Sequence, residues 1–273
     1  MPELPEVETI RRGLAPLLTG RRVVAVEVRE RRLRQPIGAR LLTRLRGAMV
    51  TGVKRRSKYL LLETDAGWTL LLHLGMTGQL WVSEPGRLRR PHQHVVFRLD
   101  DGRELRYADA RRFGLIDLIR DQKLHEDPRL RGLGVEPLED GMTGEWLYRA
   151  TRGRRKPVKN LLMDTRVIAG IGNIYACEAL FRAGVNPRRP VSRIGRRSWD
   201  GVAAAIRAVL QEAIRAGGTT LRDFLNAEGD AGYFAVSLRV YDRKGEACGR
   251  CGTSIRRIVQ AGRSTFYCPR CQK

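Results

Sequence analysis

The chain of 273 residues has no apolar run near the roughly 20 residues that cross a bilayer. It has no basic-then-apolar leader, no internal repeat and no low-complexity tract. These absences exclude a spanning helix and read as an intracellular, cytoplasmic chain. Acidic side chains are scarce: 29 Asp and Glu stand against 52 Lys and Arg, for a net charge of +23. A surface built on salt-bridge networks would be rich in both signs, so such networks do not account for the imbalance. A polyanion partner does, most simply nucleic acid bound in a salt-sensitive way, with an anionic membrane surface as the second candidate. Only five cysteines occur. Four are in paired spacing and Cys177 stands alone, which fits a metal site in a reducing compartment better than a disulfide framework.

What is present begins with Met1-Pro2-Glu3-Leu4-Pro5-Glu6. A proline after the initiator methionine is small enough for that methionine to be removed, which leaves a secondary amine as the first atom. An α-amino group titrates near about 7.7–8.0, so part of it is uncharged and nucleophilic at neutral pH. With Glu3 beside it, Pro2 forms the minimal kit for iminium chemistry on a sugar aldehyde carbon. The same residues also make an ordinary helix entry: Pro5 suits a first helical turn, and Glu6 and Glu8 suit its positive end. Val7, Ile10, Leu14, Leu17 and Leu18 then mark one helical face, which Pro16 is expected to kink or end.

From about residue 22 to 120 the character changes to short apolar runs at 23–26, 59–62, 68–72, 95–97 and 115–119. Turn signals at 65–67, 84–86 and 100–102 separate them, predicting an antiparallel sandwich or barrel. Residues 128–145, with Pro137 and four glycines, read as loop and interdomain hinge. Helices are predicted over 158–163 and 174–183, around a glycine-rich turn at 169–173. A longer helix is predicted from near Ser198, as N-cap, to the Gly217-Gly218 stop.

Cys248 and Cys251, then sixteen intervening residues, then Cys268 and Cys271 form two CxxC knuckles. That spacing matches a four-thiolate zinc site, which has no open coordination position and is therefore structural. Ile255, Ile258 and Val259 alternate with arginines and a glycine follows at 262, predicting a metal-dependent β-hairpin.

Five motifs now coincide. The opening residues 1–9 (MPELPEVET), His73–Gly78 (HLGMTG), Asp109–Gly114 (DARRFG), Gly170–Ala176 (GIGNIYA) and the terminal cysteine finger resemble, end to end and in order, the bacterial formamidopyrimidine-DNA glycosylases. Leu4 stands where the related endonuclease VIII proteins tend to carry glycine, which favours the first branch.

The resemblance implies an α+β protein of two domains. An antiparallel β-sandwich with an N-terminal helix would occupy 1–135, a hinge 136–150, a helix–two-turn–helix region 151–238 and the zinc finger 239–273. DNA would lie in the cleft between the domains. It also implies a nucleoid-associated bacterial monomer, with no membrane partner, one structural zinc ion and damaged double-stranded DNA as substrate. The implied activity is excision of 8-oxoguanine and formamidopyrimidines followed by β,δ-elimination. Catalysis would fall to Pro2, Glu3, Lys58 and Arg263, with Glu6 as a supporting carboxylate. Met76, Arg111 and Phe113 would fill the hole left by a flipped nucleotide. His92, Arg111, Lys159, Asn173 and Arg263 would contact the DNA, and 219–233 would close over the flipped base. Cys177 is expected to be a buried small hydrophobe, and His92 and His94 not to bind metal.

Two other readings stay open at this level. One is an endonuclease VIII-like enzyme for oxidised pyrimidines, and the other a zinc-dependent nucleic-acid binder without chemistry, such as an RNA or chromosome architectural protein.

Overall fold

The computed structural model describes residues 2–218 and 238–273. The predicted closing segment 219–233 lies outside the described residues, as does Met1. Contacts divide the described chain into two compact units: 2–131 with 217 and 218, and 132–216 with 238–273. Among the described residues no helix is long and apolar enough to cross a membrane.

The first unit opens with helix α1 (Leu4–Leu18), whose Val7, Ile10, Leu14 and Leu18 are buried at the predicted spacing. The helix runs through Pro16 instead of ending there. Pro16 sits in the last turn, and the only bond it removes would have gone to the carbonyl of Arg12, an exposed residue that water can serve. Strands β1 (Val23–Val28), β2 (Val50–Arg56), β3 (Tyr59–Thr64), β4 (Trp68–His73), β5 (Gly78–Ser83), β6 (Gln93–Leu99), β7 (Glu104–Asp109) and β8 (Leu115–Arg120) follow, with a short helix α2 (Arg40–Arg44) after β1. They form two four-stranded antiparallel sheets, ordered β1-β6-β7-β5 and β2-β3-β4-β8. Leu60, Leu62, Leu70 and Leu72 of one sheet share a core with Leu80, Val95, Phe97, Leu105 and Tyr107 of the other, sealed by α1. The unit is a β-sandwich.

Three of these strands lie outside the predicted runs: β5 carries the short run Leu80-Trp81-Val82, while β2 and β7 have no apolar run in the sequence. In β7 the reason is Arg106, which is buried with its guanidinium spent on Glu104 and on the carbonyls of Arg87 and Leu88. Full hydrogen bonding lets a charged residue occupy a strand interior.

The second unit is helical, with α3 (Gly144–Thr151), α4 (Val158–Leu162), α5 (Asn173–Ala183) and α6 (Arg196–Arg215), and ends in the hairpin β9 (Arg256–Gln260) and β10 (Arg263–Tyr267). Helix α3 occupies half of the stretch read as hinge. Thr143 caps it by accepting the Trp146 N–H at 3.0 Å, Leu147 is buried, and Glu145 pairs with Arg149 one turn on at 2.6 Å. At eight residues it is too short to show a sequence period. Helix α6 begins at Arg196 with Gly195 as cap, before the expected Ser198, and Arg196 in its first turn pairs with Glu145. α4 and α5, joined through the turns of 163–172, form the helix–two-turn–helix module. The finger packs on α5, where Cys177 and Phe181 share a cluster with Val240, Cys248, Ile255, Phe266 and Cys268. Cys177 is 1 % exposed, in keeping with a small buried hydrophobe.

Candidate active site

In the first unit the mouth of α1 is built by its own sequence. Glu3 is the N-cap, with extended backbone, and its N–H donates to Glu6 Oε2 at 2.7 Å in a capping box. Pro2, Glu3 and Glu6 are all buried there, and Gly218 passes so close that a Cβ on it would lie 3.1 Å from Glu6 Cγ. Glu6 therefore ties the backbone of Glu3 in place and sets the direction in which the chain reaches Pro2.

Lys58 lies in the two-residue turn between β2 and β3, where Arg56 pairs with Tyr59. Ser57 takes a φ of 56°, a left-handed value that such turns ordinarily give to glycine. Arg55 holds the turn from below: its Nη1 donates to Ser57 O at 2.9 Å and its Nε to Glu8 Oε2 at 3.1 Å. Burial pushes the Glu8 carboxyl up, but hydrogen bonds from Arg11 and Arg12 and the charges of Arg11 and Arg55 outweigh it and leave it below the ordinary range. Glu8 is thus a fixed anion one turn beyond the helix mouth, and through Arg55 it couples α1 to the turn that presents Lys58.

His73, across from Tyr59 in the β3–β4 register, has its ring 5.0 Å from the Tyr59 ring. Burial, and then the charges of Lys58 and Arg34, push its pKa down to about 4, so the ring is neutral at pH 7. Its Nδ1 accepts the Gly75 N–H at 3.0 Å. The turn that follows places Met76 outward, 39 % exposed, and Phe113 on the 109–114 turn is 46 % exposed. Arg111 lies over the Phe113 ring at 4.7 Å. Large side chains left in water in this way are not explained by folding. His92, with φ 59°, is exposed, and its carbonyl accepts the Asp109 N–H at 3.0 Å. His94 is buried and its Nε2 bonds the Asp109 carbonyl at 2.8 Å, so the two histidines do not form a ligand pair. A groove of about 690 Å³ beside Trp68 and Arg120 lies at the far end of β4 from His73 and contains none of these residues.

In the second unit, β9 and β10 are joined by Ala261 and Gly262, both with positive φ, and this tight turn presents the exposed Arg263 directly after it. Asn173 Nδ2 donates to Ser264 O at 2.9 Å, next to Arg263. Lys159, expected as a phosphate ligand, lies beside the same hairpin. It is fully buried, and its ammonium donates to Thr265 Oγ1 at 2.6 Å and to Ser264 O at 3.2 Å. These bonds hold the lysine against the residues that follow Arg263 in the hairpin.

The thiolates of Cys248, Cys251, Cys268 and Cys271 lie within 4.8 Å of one another. A tetrahedral zinc with Zn–S bonds of about 2.3 Å sets its sulfurs about 3.8 Å apart. The Cys248–Cys271 and Cys251–Cys268 separations of 3.9 and 3.5 Å bracket that value. The four residues are the ligands of a structural zinc ion, which supplies folding energy and not chemistry.

His73, Thr77 and Asp109 lie within the sequence motifs but nothing local marks their roles, and Arg55 sits unmarked in a basic run. Their partners are set by strand register, which no local pattern reveals.

A β-sandwich opening on a capped Pro-Glu helix, a helix–two-turn–helix module and a four-cysteine finger define a zinc-finger protein of the base-excision-repair glycosylase class. The family model for the formamidopyrimidine-DNA glycosylase N-terminal domain matches residues 1–116, that for its H2TH domain 133–225, and the zinc finger found in Fpg and isoleucyl-tRNA synthetase 245–273. The formamidopyrimidine-DNA glycosylase of Rhizorhabdus wittichii is 50 % identical over 273 residues, covering 100 % of both chains. The crystal structure of the Thermus thermophilus Fpg protein superposes with a TM-score of 0.88 at 38 % identity, covering 99 % of this chain and 98 % of the other. The Lactococcus lactis Fpg in complex with abasic-site DNA gives 0.91 at 32 % identity, covering 100 % of both. The chain belongs to the formamidopyrimidine-DNA glycosylase family.

Proposed function

We propose that this protein is a DNA glycosylase of base-excision repair that is also an abasic-site lyase, acting on 8-oxoguanine and formamidopyrimidines in duplex DNA. The observation that carries the reading is that one unit holds both Pro2 and Glu3 at a capped helix mouth and the exposed Met76, Arg111 and Phe113. Chemistry at a sugar needs the damaged nucleotide out of the stack, and a thioether, a guanidinium and an aromatic ring are what replaces it.

In this mechanism Met1 has been removed and the Pro2 nitrogen attacks C1′. The N–C1′ bond forms as the glycosidic bond breaks, and the base leaves with its electron pair and a proton. Glu3 protonates the sugar ring oxygen, which opens the ring and leaves an iminium on C1′. Loss of a C2′ proton expels the 3′ phosphate, and a second elimination expels the 5′ phosphate. Glu6 orients Glu3 and Pro2, and Lys58 contacts the phosphate and sugar beside the lesion. Asn173 and Arg263 bind phosphate, with Lys159 supporting the hairpin that carries Arg263, and His92 contacts the backbone. The enzyme works as a monomer on the bacterial chromosome, and zinc holds the finger.

The test is to incubate the protein with duplex containing 8-oxoguanine opposite cytosine, add borohydride and weigh the product. A covalent complex with Pro2 linked to DNA is expected, and faster cutting than on thymine glycol. A cut without a trapped adduct would sink the amine mechanism, and binding without cutting would favour the non-catalytic reading. Faster cutting of thymine glycol would favour the endonuclease VIII-like reading.

A further inference from the structure

Met76, Arg111 and Phe113 come from two turns that are far apart in sequence, and the two turns are locked together. The first is closed by the Gly78 N–H donating to Leu74 O at 2.8 Å and by the Gly75 N–H on His73. The second runs from Asp109 to Gly114, with the Arg112 N–H on Asp109 O at 3.2 Å. Between them lies the side chain of Asp109, which is 0 % exposed. Its Oδ1 accepts the Thr77 hydroxyl at 2.5 Å, and its Oδ2 accepts the Gly114 N–H at 2.8 Å and the Tyr107 hydroxyl at 3.2 Å. Thr77 Oγ1 in turn accepts the Arg111 N–H at 3.1 Å. One buried carboxylate therefore bonds the residue after Met76 and the residue after Phe113, and through Thr77 it fixes the backbone of Arg111.

The backbones also touch. A Cβ on Gly75 would lie 2.5 Å from the Phe113 carbonyl carbon, and one on Gly114 would lie 1.8 Å from the Tyr107 hydroxyl. No side chain fits at either place, so glycine at both positions is what lets the two turns pack this closely. A buried anion with four donors converging on or through it is also costly to disturb, since each lost partner leaves a desolvated polar group.

We propose that Asp109 and Thr77 are positioning residues that make Met76, Arg111 and Phe113 a single rigid wedge. The three side chains then enter the duplex together, and Arg111 meets the orphaned base at a height fixed by the other two. An independent Met76 could fill the hole without Arg111 being in register, and discrimination of the opposite base would be lost first. The inference rests on the reading of these three residues as void-fillers.

The test uses Thr77→Val, which keeps shape and removes the hydroxyl, with Thr77→Ser as the rescue and Asp109→Asn as a second probe. The first readout does not depend on cleavage: a duplex carrying a tetrahydrofuran abasic analogue with 2-aminopurine opposite reports wedge insertion as a fluorescence rise. The second compares cutting of 8-oxoguanine duplex with cutting of a single-stranded abasic oligonucleotide, which has no stack to fill.

Thr77→Val is expected to lose most of the fluorescence rise and at least tenfold in duplex cutting and opposite-base discrimination. Single-strand cutting should stay within twofold, and Thr77→Ser should restore the rest. Should Asp109→Asn fold poorly, Thr77→Val alone decides. A wild-type fluorescence response in Thr77→Val would overturn the proposal, as would equal losses on both substrates, which mark a general structural defect. Absence of borohydride trapping in the wild type with the fluorescence pattern intact would remove the amine mechanism and leave the wedge standing.

Discussion

Arg55 reaches from strand β2 to Glu8 on helix α1, with Nε 3.1 Å from Oε2 and both side chains about one-tenth exposed. The same guanidinium bonds the carbonyl of Ser57, so one side chain spans the helix that carries Pro2 and Glu3 and the turn that carries Lys58. Glu8→Gln removes the carboxylate charge beside the Arg55 Nε, at a cost of about 3 kcal/mol for a pair this buried. The expected outcome is a lower melting temperature and slower cutting of abasic DNA. Arg55→Lys, which cannot bond both partners in a planar fork, should retain the stability better than the rate. Thermal melting set beside single-turnover cleavage checks both.

Glu3→Gln keeps an oxygen acceptor at the N-cap and so preserves the helix entry. In the proposed mechanism it removes the proton that opens the sugar ring. Binding to an uncleavable lesion analogue should be unchanged while excision falls by about 10²-fold or more. Gel-shift titration alongside burst kinetics separates the two, and turnover at the wild-type rate would rule Glu3 out as the acid. Intact mass should show Met1 absent in the active protein.

Neutral His73 gives a pH signature. Its folded pKa of about 4 lies below the ordinary value of 6.5. Between those two values the unfolded chain binds the proton and the folded one does not, so the stability present above 6.5 is lost as pH falls towards 4. The loss is on the order of 3 kcal/mol at most. Urea unfolding from pH 7 to 4 should show this slope, and His73→Asn, which keeps an acceptor for the Gly75 N–H, should flatten it.

Zinc removal should act locally and then on α5. The finger shares a core with Cys177 and Phe181, so chelation exposes a face of that helix as well as freeing four thiolates. Chelator-treated protein should lose duplex affinity and show protease cuts after the arginines of 239–270, with the β-sandwich still resistant. Limited proteolysis with thiol counting tests this.

Arg263 stands alone at the hairpin tip, with Lys159 and Asn173 gripping the residues after it. Arg263→Ala should weaken binding to damaged and undamaged duplex alike and lower the log–log salt slope by about one unit. A defect limited to damaged DNA would contradict a phosphate role.

The parts of this molecule that a single side-chain type dictates were legible in the sequence. Two CxxC knuckles mark the zinc site, and the runs of 59–62 and 68–72 are strands because nothing else buries them on both faces. Where a residue's role depends on a distant partner, the sequence is mute. Arg106 looks like a surface residue until the carbonyls of 87 and 88 are found beside it. Nothing around Lys159 in the sequence shows that its amine bonds Thr265, 106 positions away. Thr77 and Asp109 stand 32 positions apart, and only the β5–β7 register brings them within 2.5 Å.

Ser57 shows what it takes to aim one ammonium. Left-handed backbone costs a serine on the order of 1 kcal/mol that glycine would not lose. Glycine would also let the turn sample many shapes, and Lys58 would point in as many directions. The protein accepts a small permanent tension at Ser57 and braces it with Arg55. Local discomfort in the fold thus becomes angular accuracy at the amine.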